Sequence, residues 1–158
     1  MATKGVLDAL QETWFATGFP RRALEHLAEV GRLIEIQVGT TVVREGLPCD
    51  WLGVVIDGRI ALRLAIPGGE ERTILTVHPG DVFGWSAVLP QPIATSTGVA
   101  LVPSTAVVFD GELLRATLAE DSELAAVLFE RLLMSVSRRL VATRTQLLDL
   151  YRAGVAPW

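Results

Sequence analysis

Seven short runs of β-forming residues, each followed by turn residues, occupy the middle of the chain and most constrain its fold. They lie between Gly31 and Asp110 and read RLIEIQV, TTVVRE, WLGVVI, RIALRLAI, RTILTVH, TSTGVALV and STAVVF. Their length and spacing are typical of strands in an all-β sandwich or roll. Turn residues at 57–58, 67–69 and 79–81 predict hairpins, so we expect consecutive antiparallel strands. The side chains expected to face mostly inward are Val54, Ile56, Ile60, Leu62 and Leu64.

Helical patterns flank this β-rich region. Before it, apolar residues recur at helical spacing in two runs that are separated by Gly18-Phe19-Pro20. After Asp110 the pattern is again helical, with a break at residues 120–122 and with Ser122 as the candidate cap of a long final helix. The sequence therefore predicts N-terminal helices over residues 1–30, a β-roll over 31–110 and C-terminal helices over 111–158.

The final helix carries an apolar seam that predicts self-association. Its residues recur in alternating steps of three and four through four heptads, as in coiled coils: Ala126, Phe129, Leu133, Val136, Leu140, Thr143, Leu147 and Leu150. A second flank, formed by Leu124, Leu128 and Leu132, is expected to pack on the β domain. A helix of about 30 residues extends about 45 Å, which is longer than so small a domain covers. We therefore favour a homodimer, with the seam from Phe129 to Leu150 as its interface, over a helix packed wholly on its own domain.

Composition and charge limit the classes of partner. The chain has 158 residues, half of them hydrophobic and a fifth charged, which predicts one folded domain. Its net charge of −4 and its scattered basic pairs, Arg21-Arg22 and Arg138-Arg139, argue against direct DNA binding by this chain. Without a membrane-length apolar run or a secretory signal, and with Cys49 as the single cysteine, we expect a cytoplasmic protein that does not contact membranes.

Residues with catalytic or metal-binding chemistry are few and far apart. A metal-dependent jelly roll needs at least three convergent ligands, whereas His26 and His78 are separated by most of the β region. The serines lack a nearby base, and Cys49 is too isolated for an iron–sulfur site, which leaves only a haem thiolate role open to it. We therefore expect neither an enzyme nor a metal site. Of the four tryptophans, Trp14, Trp51 and Trp158 are expected to pack, and Trp85 is the candidate for stacking on a ligand.

The order of these elements and four motifs resemble the cyclic nucleotide-binding domain of catabolite-activator-type (CRP/FNR) bacterial regulators. The motifs are Glu45-Gly46 before a strand, VVIDGRIAL, PGDVFGW and, in the long helix, RRLVAT. The resemblance covers about Leu24 to Arg152. It implies a mainly β fold, a double-stranded β-helix or jelly-roll-like β-roll, with N-terminal helices and a long C-terminal dimerisation helix. Activators of this family continue into a helix-turn-helix domain. Because this sequence ends in AGVAPW, we favour a stand-alone sensor that acts on a regulatory protein partner over a fragment of an activator.

In this family the segment that matches residues 80–97 is the phosphate-binding cassette. A Gly-Glu pair opens a short helix, the glutamate binds the ribose 2′-hydroxyl, and an Arg-Ser pair binds the cyclic phosphate together with backbone N–H groups. Here Trp85 stands at the glutamate position and Thr95 at the arginine position, while the glycine and the serine are kept. The resemblance thus implies an uncharged niche with the ligand-binding residues Leu75, Gly84, Trp85, Ser86, Ala87, Thr95, Ser96 and Thr97.

The family also uses a threonine of the long helix to reach the purine ring. The sequence RRLVATR places Thr143 at that position, followed by Arg144. Thr143 is either a ligand contact or a small polar seam residue, and Arg144 either directs a cation towards the niche or lies in solvent beside the seam. An arginine–phosphate bond contributes about 1.5–3 kcal/mol, so its loss predicts weak binding of the usual cyclic nucleotides.

Two functional hypotheses follow. The first is a sensory or regulatory homodimer whose ligand is a weakly bound or altered cyclic nucleotide or another small anion. The second is a ligand-free dimeric interaction scaffold in which Trp85 fills the cavity. No cofactor is firmly indicated by the residues under either hypothesis.

Overall fold

The computed structural model describes residues 5–154. They form two N-terminal α-helices, eight strands and two C-terminal α-helices. The strands are β1 (Gly31–Ile36), β2 (Thr41–Val43), β3 (Trp51–Asp57), β4 (Ile60–Ala65), β5 (Glu71–Val77), β6 (Val82–Phe83), β7 (Thr97–Ala100) and β8 (Ser104–Asp110). The helices are α1 (Val6–Gln11), α2 (Arg21–Glu29), α3 (Gly111–Glu120) and α4 (Ser122–Arg152), with short 3₁₀ helices at Trp14–Ala16 and Trp85–Val88. Trp158 and the outer ends of the predicted N- and C-terminal zones lie outside the described residues.

The strands form two four-stranded sheets that pack face to face. One sheet has the order β1-β8-β3-β6 and the other β2-β7-β4-β5, and all neighbours within a sheet are antiparallel. Along the chain, α1 and α2 precede the strands, and α3 and the long α4 follow them. The predicted mainly β roll with N-terminal helices and a long C-terminal helix is therefore confirmed.

The prediction of three consecutive hairpins is wrong for two of the three turns. Pro67-Gly68-Gly69 does close a hairpin, because β4 pairs with β5. Asp57-Gly58 and Pro79-Gly80-Asp81 instead carry the chain from one sheet to the other. Both edges of β3 are already paired, with β6 and β8, so β4 cannot join it. Turn residues reverse the chain but do not determine which sheet receives the next strand. With two residues, β6 is too short to show a periodic pattern in the sequence.

Inward-facing side chains of both sheets form one apolar core. As predicted, Val54, Ile60 and Leu62 are buried, while Ile56 and Leu64 are half-buried. The largest fully buried side chains include three phenylalanines and several leucines: Phe15, Phe83, Phe109, Leu10, Leu27 and Leu52. Two of these come from α1 and α2, so the N-terminal helices cover part of the roll.

A single carboxylate, that of Asp121, fixes the start of α4. Its Oδ1 accepts a hydrogen bond from the Leu124 N–H at 3.0 Å, so Asp121 rather than the predicted Ser122 caps the helix. Its Oδ2 lies 2.6 Å from Nδ1 of His26 and 3.3 Å from Nη1 of Arg22, both on α2. These bonds, first that of the Leu124 N–H and then that of His26, hold the pKa of Asp121 at about 2. Asp121 thereby joins the long helix to the N-terminal helices.

The two predicted faces of α4 differ in burial. Leu124, Leu128 and Leu132 are buried in the apolar core, as the predicted second flank requires. The elements that α4 chiefly contacts are α2, α3 and, in the roll, β5. Leu133 and Leu140 of the seam are 69% and 59% exposed, so the helix is not packed wholly on its own domain. Within residues 5–154, no helix combines the length and the apolar character that crossing a bilayer requires.

Replacing Asp121 with Asn is expected to lower the free energy of unfolding at neutral pH, because the charge-assisted bonds to Leu124, His26 and Arg22 are weakened. Since the folded-state pKa is depressed, the carboxylate stabilises the fold above about pH 4, and this contribution disappears as the pH falls towards about 2. Urea unfolding across this range measures the effect: the difference between wild type and D121N should shrink below about pH 4. The exposed Glu120→Gln serves as the control, and a pH-independent difference would contradict the assignment.

Candidate functional site

Gly84 sets the backbone geometry of the segment 80–97, which we call the cassette segment. It has the left-handed conformation, with φ 70° and ψ 28°, and a Cβ at this position would lie 2.1 Å from the Trp51 carbonyl oxygen. The thiol of Cys49 is within 3.4 Å of the Gly84 carbonyl oxygen and 3.5 Å of that of Trp51. Burial raises the pKa of this thiol, so Cys49 packs against the turn as a neutral group.

Both backbone polar groups of Ala87, in the short 3₁₀ helix after Gly84, are hydrogen-bonded to other residues of the protein. The Ala87 N–H donates to the Gly84 carbonyl at 3.0 Å, and the Ala87 carbonyl accepts from Nη1 of Arg115 at 2.5 Å. Ala87 is buried and therefore supports the turn. Its N–H group, which the sequence assigned to a ligand, already has a protein partner.

Hydroxyl groups of the cassette segment fall into two kinds. Thr97 is buried, and its Oγ1 accepts a hydrogen bond from the Glu45 N–H at 3.1 Å, so its role is structural. Ser86 is buried, Ser96 is half-buried and Thr95 is exposed. The side-chain hydroxyls of these three residues make no hydrogen bond to any residue between 5 and 154. They are available to a ligand.

A cation that the sequence analysis did not assign to the site, Arg139, reaches the cassette segment from α4. Its side chain is half-buried, and Nη2 donates a hydrogen bond to the Val82 carbonyl. Burial lowers the pKa of the guanidinium, and the nearby Asp81 carboxylate opposes this effect. A guanidinium stays protonated under such conditions, so Arg139 carries a full positive charge.

Arg139 borders three spaces, and Trp85, Thr95 and Ser96 line two of them. The inner one is a gap of about 10 Å³, close to the space of a single water, lined by Val43, Leu62, Gly84, Trp85, Ser86, Ala94, Thr95, Ser96 and Arg139. The outer one is a groove of about 260 Å³ between the roll and α4, lined by Leu62, Leu64, Ile74, Leu75, Trp85, Thr95, Ser96, Val136, Arg139, Leu140 and Thr143. The half-buried Trp85 lines both spaces.

The structure brings most of the predicted ligand-binding residues together. Gly84, Trp85, Ser86, Thr95 and Ser96 surround the gap, and Leu75 and Thr143 line the groove. Ala87 and Thr97 are buried and line neither the gap nor the groove. Arg144 is exposed and lies outside both spaces.

Sequence reasoning treated Arg139 only as half of a basic pair. One signal was nevertheless available, because Arg139 precedes Thr143 by four residues and such pairs share a helix face.

The other candidate residues have structural partners. Trp14 contacts the guanidinium groups of Arg131 and Arg138, whose Cζ atoms lie 5.3 and 4.2 Å from its ring centroid. Trp51 stacks in the same way with Arg32, at 5.3 Å. His26 is hydrogen-bonded to Asp121, and His78 is exposed. In the described part of the chain, no three side chains that could ligate a metal ion lie close together.

Comparison with known proteins places this geometry in context. A family model described as the cyclic nucleotide-binding domain matches residues 33–121, more than half of the chain. The CRP-like cAMP-activated global transcriptional regulator of Mycobacterium tuberculosis is 29% identical over 133 residues, which cover 84% of this chain and 58% of that protein. Acetyltransferase Pat of Mycolicibacterium smegmatis is 29% identical over 140 residues, covering 89% of this chain and 40% of that protein.

A solved cyclic nucleotide-binding domain from Methylobacillus flagellatus superposes with a TM-score of 0.77 at 20% identity, over 91% of this chain and 81% of that one. At this identity the similarity shows a shared fold. The chain spans about half the length of the two curated relatives.

Replacing Gly84 with Ala is expected to destabilise the protein more than the same change at Gly68. Both glycines have positive φ, which costs an alanine about 1–2 kcal/mol. A Cβ at Gly68 meets no atom within 4 Å, whereas at Gly84 it meets the Trp51 backbone. Thermal unfolding followed by circular dichroism measures the two losses. Equal losses for G84A and G68A would show that the close contact with Trp51 is unimportant.

Proposed function

This chain belongs to the cyclic nucleotide-binding domain family, and we propose that it is a sensory module whose ligand lies in the groove between the roll and α4. The observation that carries this proposal is the composition of the groove walls. Leu75, Thr95 and Ser96 come from the roll, while Val136, Leu140 and Thr143 come from α4. A ligand held there contacts both elements and therefore influences how α4 sits on the roll.

The identity of the ligand follows from what stands at positions 85 and 95. An indole and a hydroxyl replace the carboxylate and guanidinium that the family uses for the ribose and the cyclic phosphate. Removing both charged contacts weakens binding by about two to four decades. We therefore propose that cyclic AMP and cyclic GMP bind weakly and that the ligand is altered or is another small anion.

A ligand-free scaffold is the second candidate function, and the inner gap favours it. Trp85 leaves only about 10 Å³ there, which is too little for a phosphate group. The outer groove favours sensing instead, because it is wide enough for a small ligand and Thr95 and Ser96 line it with polar groups.

The proposed output is control of an effector rather than catalysis. In the two curated relatives the matching region forms part of a longer protein, one by name a transcriptional regulator and the other an acetyltransferase. In our proposal this chain has no catalytic residues of its own and works in the cytoplasm, where it acts on a regulatory protein partner and does not itself bind DNA.

We also propose that the seam of α4 forms a homodimer. Phe129, Leu133, Leu140, Leu147 and Leu150 are all between 40% and 69% exposed. A contiguous apolar stripe of this kind on a soluble surface marks an interaction site, and its heptad spacing suits a second copy of the same helix.

The altered ligand preference is tested by restoring the two charged side chains. The double variant W85E/T95R is expected to bind cyclic AMP about a hundredfold or more tightly than wild type, because it regains both contacts. Isothermal titration calorimetry measures the dissociation constants. The variant W85Q/T95Q controls for the loss of the indole without adding charge. Micromolar binding of cyclic AMP by the wild-type chain, or no gain in W85E/T95R, would refute the proposal.

The homodimer is tested by placing charges in the seam. The double variant L133E/L140E is expected to be monomeric where wild type is dimeric, since carboxylates cannot be buried unpaired at a helix interface. Sedimentation equilibrium gives the molar mass of each. Thr145→Glu, an exposed polar position of the same helix outside the seam, is the control. A monomeric wild type at about 100 µM, far above the dissociation constant of a stable dimer, would count against the proposal.

A further inference from the structure

The two sheets of the roll leave a pocket between them at one side. In the strand orders β1-β8-β3-β6 and β2-β7-β4-β5, β1 and β2 are edge strands, and both of them contribute residues to this pocket. Its other walls come from β3, β6 and β8, and its volume is about 250 Å³. We call it the inter-sheet pocket. The residues that line it are different from those that line the gap and the groove, so it is a separate space.

The floor of the inter-sheet pocket is apolar because of the register of the first sheet. Val108 lies opposite both Arg32 and Gly53, and Gly53 lies opposite Phe83. Side chains directly opposite each other in antiparallel strands point to the same face. Gly53 has no side chain, so the Phe83 ring occupies the space above it, where a Cβ would collide with the ring. Phe83 and Val108 are 2% and 3% exposed and thus form a packed apolar floor.

A charged and an aromatic side chain stand at the mouth of the pocket. The Cζ atom of Arg32 lies 5.3 Å from the centroid of the Trp51 ring, and both side chains are exposed. Arg32 is the one charged residue that lines the inter-sheet pocket. Within residues 5–154, its guanidinium makes no hydrogen bond or ion pair with the protein. All five of its N–H donors are therefore available to a ligand.

A cation above an apolar floor matches an organic acid. Two parallel N–H groups of a guanidinium fit the two oxygens of one carboxylate. Thr41 adds a single hydroxyl to the lining, which suits a carboxylate better than a phosphate with its additional oxygens. An apolar cavity of about 150 Å³ holds benzene, so the pocket of about 250 Å³ has room for one ring or a short chain with its head group. Larger ligands occupy pockets of about 300–1,000 Å³.

The neighbouring depression has a different balance of charge. It has a volume of about 210 Å³ and shares Thr41 and Trp51 with the inter-sheet pocket, but its charged residues are Arg44 and Asp50. A carboxylate placed there meets a like charge as well as an opposite one. The inter-sheet pocket presents positive charge alone, which favours it as the site for an acid.

We propose that the inter-sheet pocket is a second ligand site, which binds a small carboxylic acid with an apolar body. The apolar body lies on Phe83 and Val108, and the carboxylate pairs with Arg32 at the mouth. This proposal does not rest on the sensing function of the groove. The pocket nevertheless adjoins the cassette segment, because Phe83 precedes Gly84 and the Trp51 carbonyl oxygen lies against Gly84. A bound acid therefore contacts residues that hold the Gly84 turn.

The test titrates phenylacetate into isotope-labelled protein and follows the backbone amide signals by NMR, with the neutral analogue phenylacetamide as the matched control. At up to about 10 mM, phenylacetate is expected to shift the amides of residues 32–34, 41–42 and 108 in a saturable manner. It should bind about three- to tenfold more tightly than phenylacetamide. The factor is modest because the charged contact lies at an exposed mouth, where solvent weakens it.

Three variants separate the charge from the cavity. Arg32→Gln should remove the preference for the acid over the amide while leaving the affinity for the amide unchanged. Arg44→Gln, at an exposed arginine of the neighbouring depression, should change neither affinity. Ile34→Trp fills the pocket and should abolish binding of both compounds. Circular dichroism checks that each variant is folded, and R32Q at its exposed position keeps the test decisive if I34W is not.

The other possible results count against the proposal. If phenylacetate causes no saturable shifts at the inter-sheet pocket, the site is overturned. Shifts centred on Leu75, Thr95 and Thr143 place the acid in the groove, which overturns the second site and leaves the sensing function intact. Equal affinities for acid and amide, or a preference for the acid that persists in R32Q, overturn the role of Arg32 and with it the assignment of a carboxylate.

Discussion

The burial of the first turns of α4 in the apolar core determines where its later residues lie. Leu124, Leu128 and Leu132 are buried at spacings of four, and Asp121 fixes the first turn to α2. Arg139 follows Leu132 by seven residues, two turns further along the same face. An α-helix is stiff over this distance, so apolar packing near its start carries a charged side chain to the cassette segment near its middle. The site therefore depends on contacts that never touch a ligand.

At the candidate site, the backbone conformation comes from the cassette segment and the positive charge comes from Arg139 of α4. The left-handed turn at Gly84 is held by the Trp51 carbonyl and by the neutral Cys49 thiol, neither of which needs an ionised side chain. The guanidinium comes from another element of the structure. Because the proposed ligand groove lies between α4 and the roll, its occupancy is coupled to the position of the helix.

The sequence predicted those features that follow from local pattern. The alternation at Val54, Ile60 and Leu62 indicated an inward face, and the heptad spacing in α4 separated a packed flank from an exposed seam. Features that depend on tertiary neighbours were missed. Which sheet receives β4 depends on the pairing of β3, and the bond between Asp121 and His26 joins residues 95 positions apart in the sequence. Arg139 meets Val82 across 57 residues of sequence, a register that no local pattern encodes.

The two faces of α4 give the proposed sensor a means of output. Arg139 lies beside the groove, while Phe129 and Leu133 are exposed on the same rigid helix. A ligand that favours one placement of the helix also favours one placement of the seam, so its binding free energy is shared with the contact between two copies. Thermodynamic linkage then requires that dimer formation alter ligand affinity by the same factor by which the ligand alters dimer formation. The coupling needs no chain of contacts across the roll, because one helix carries both surfaces.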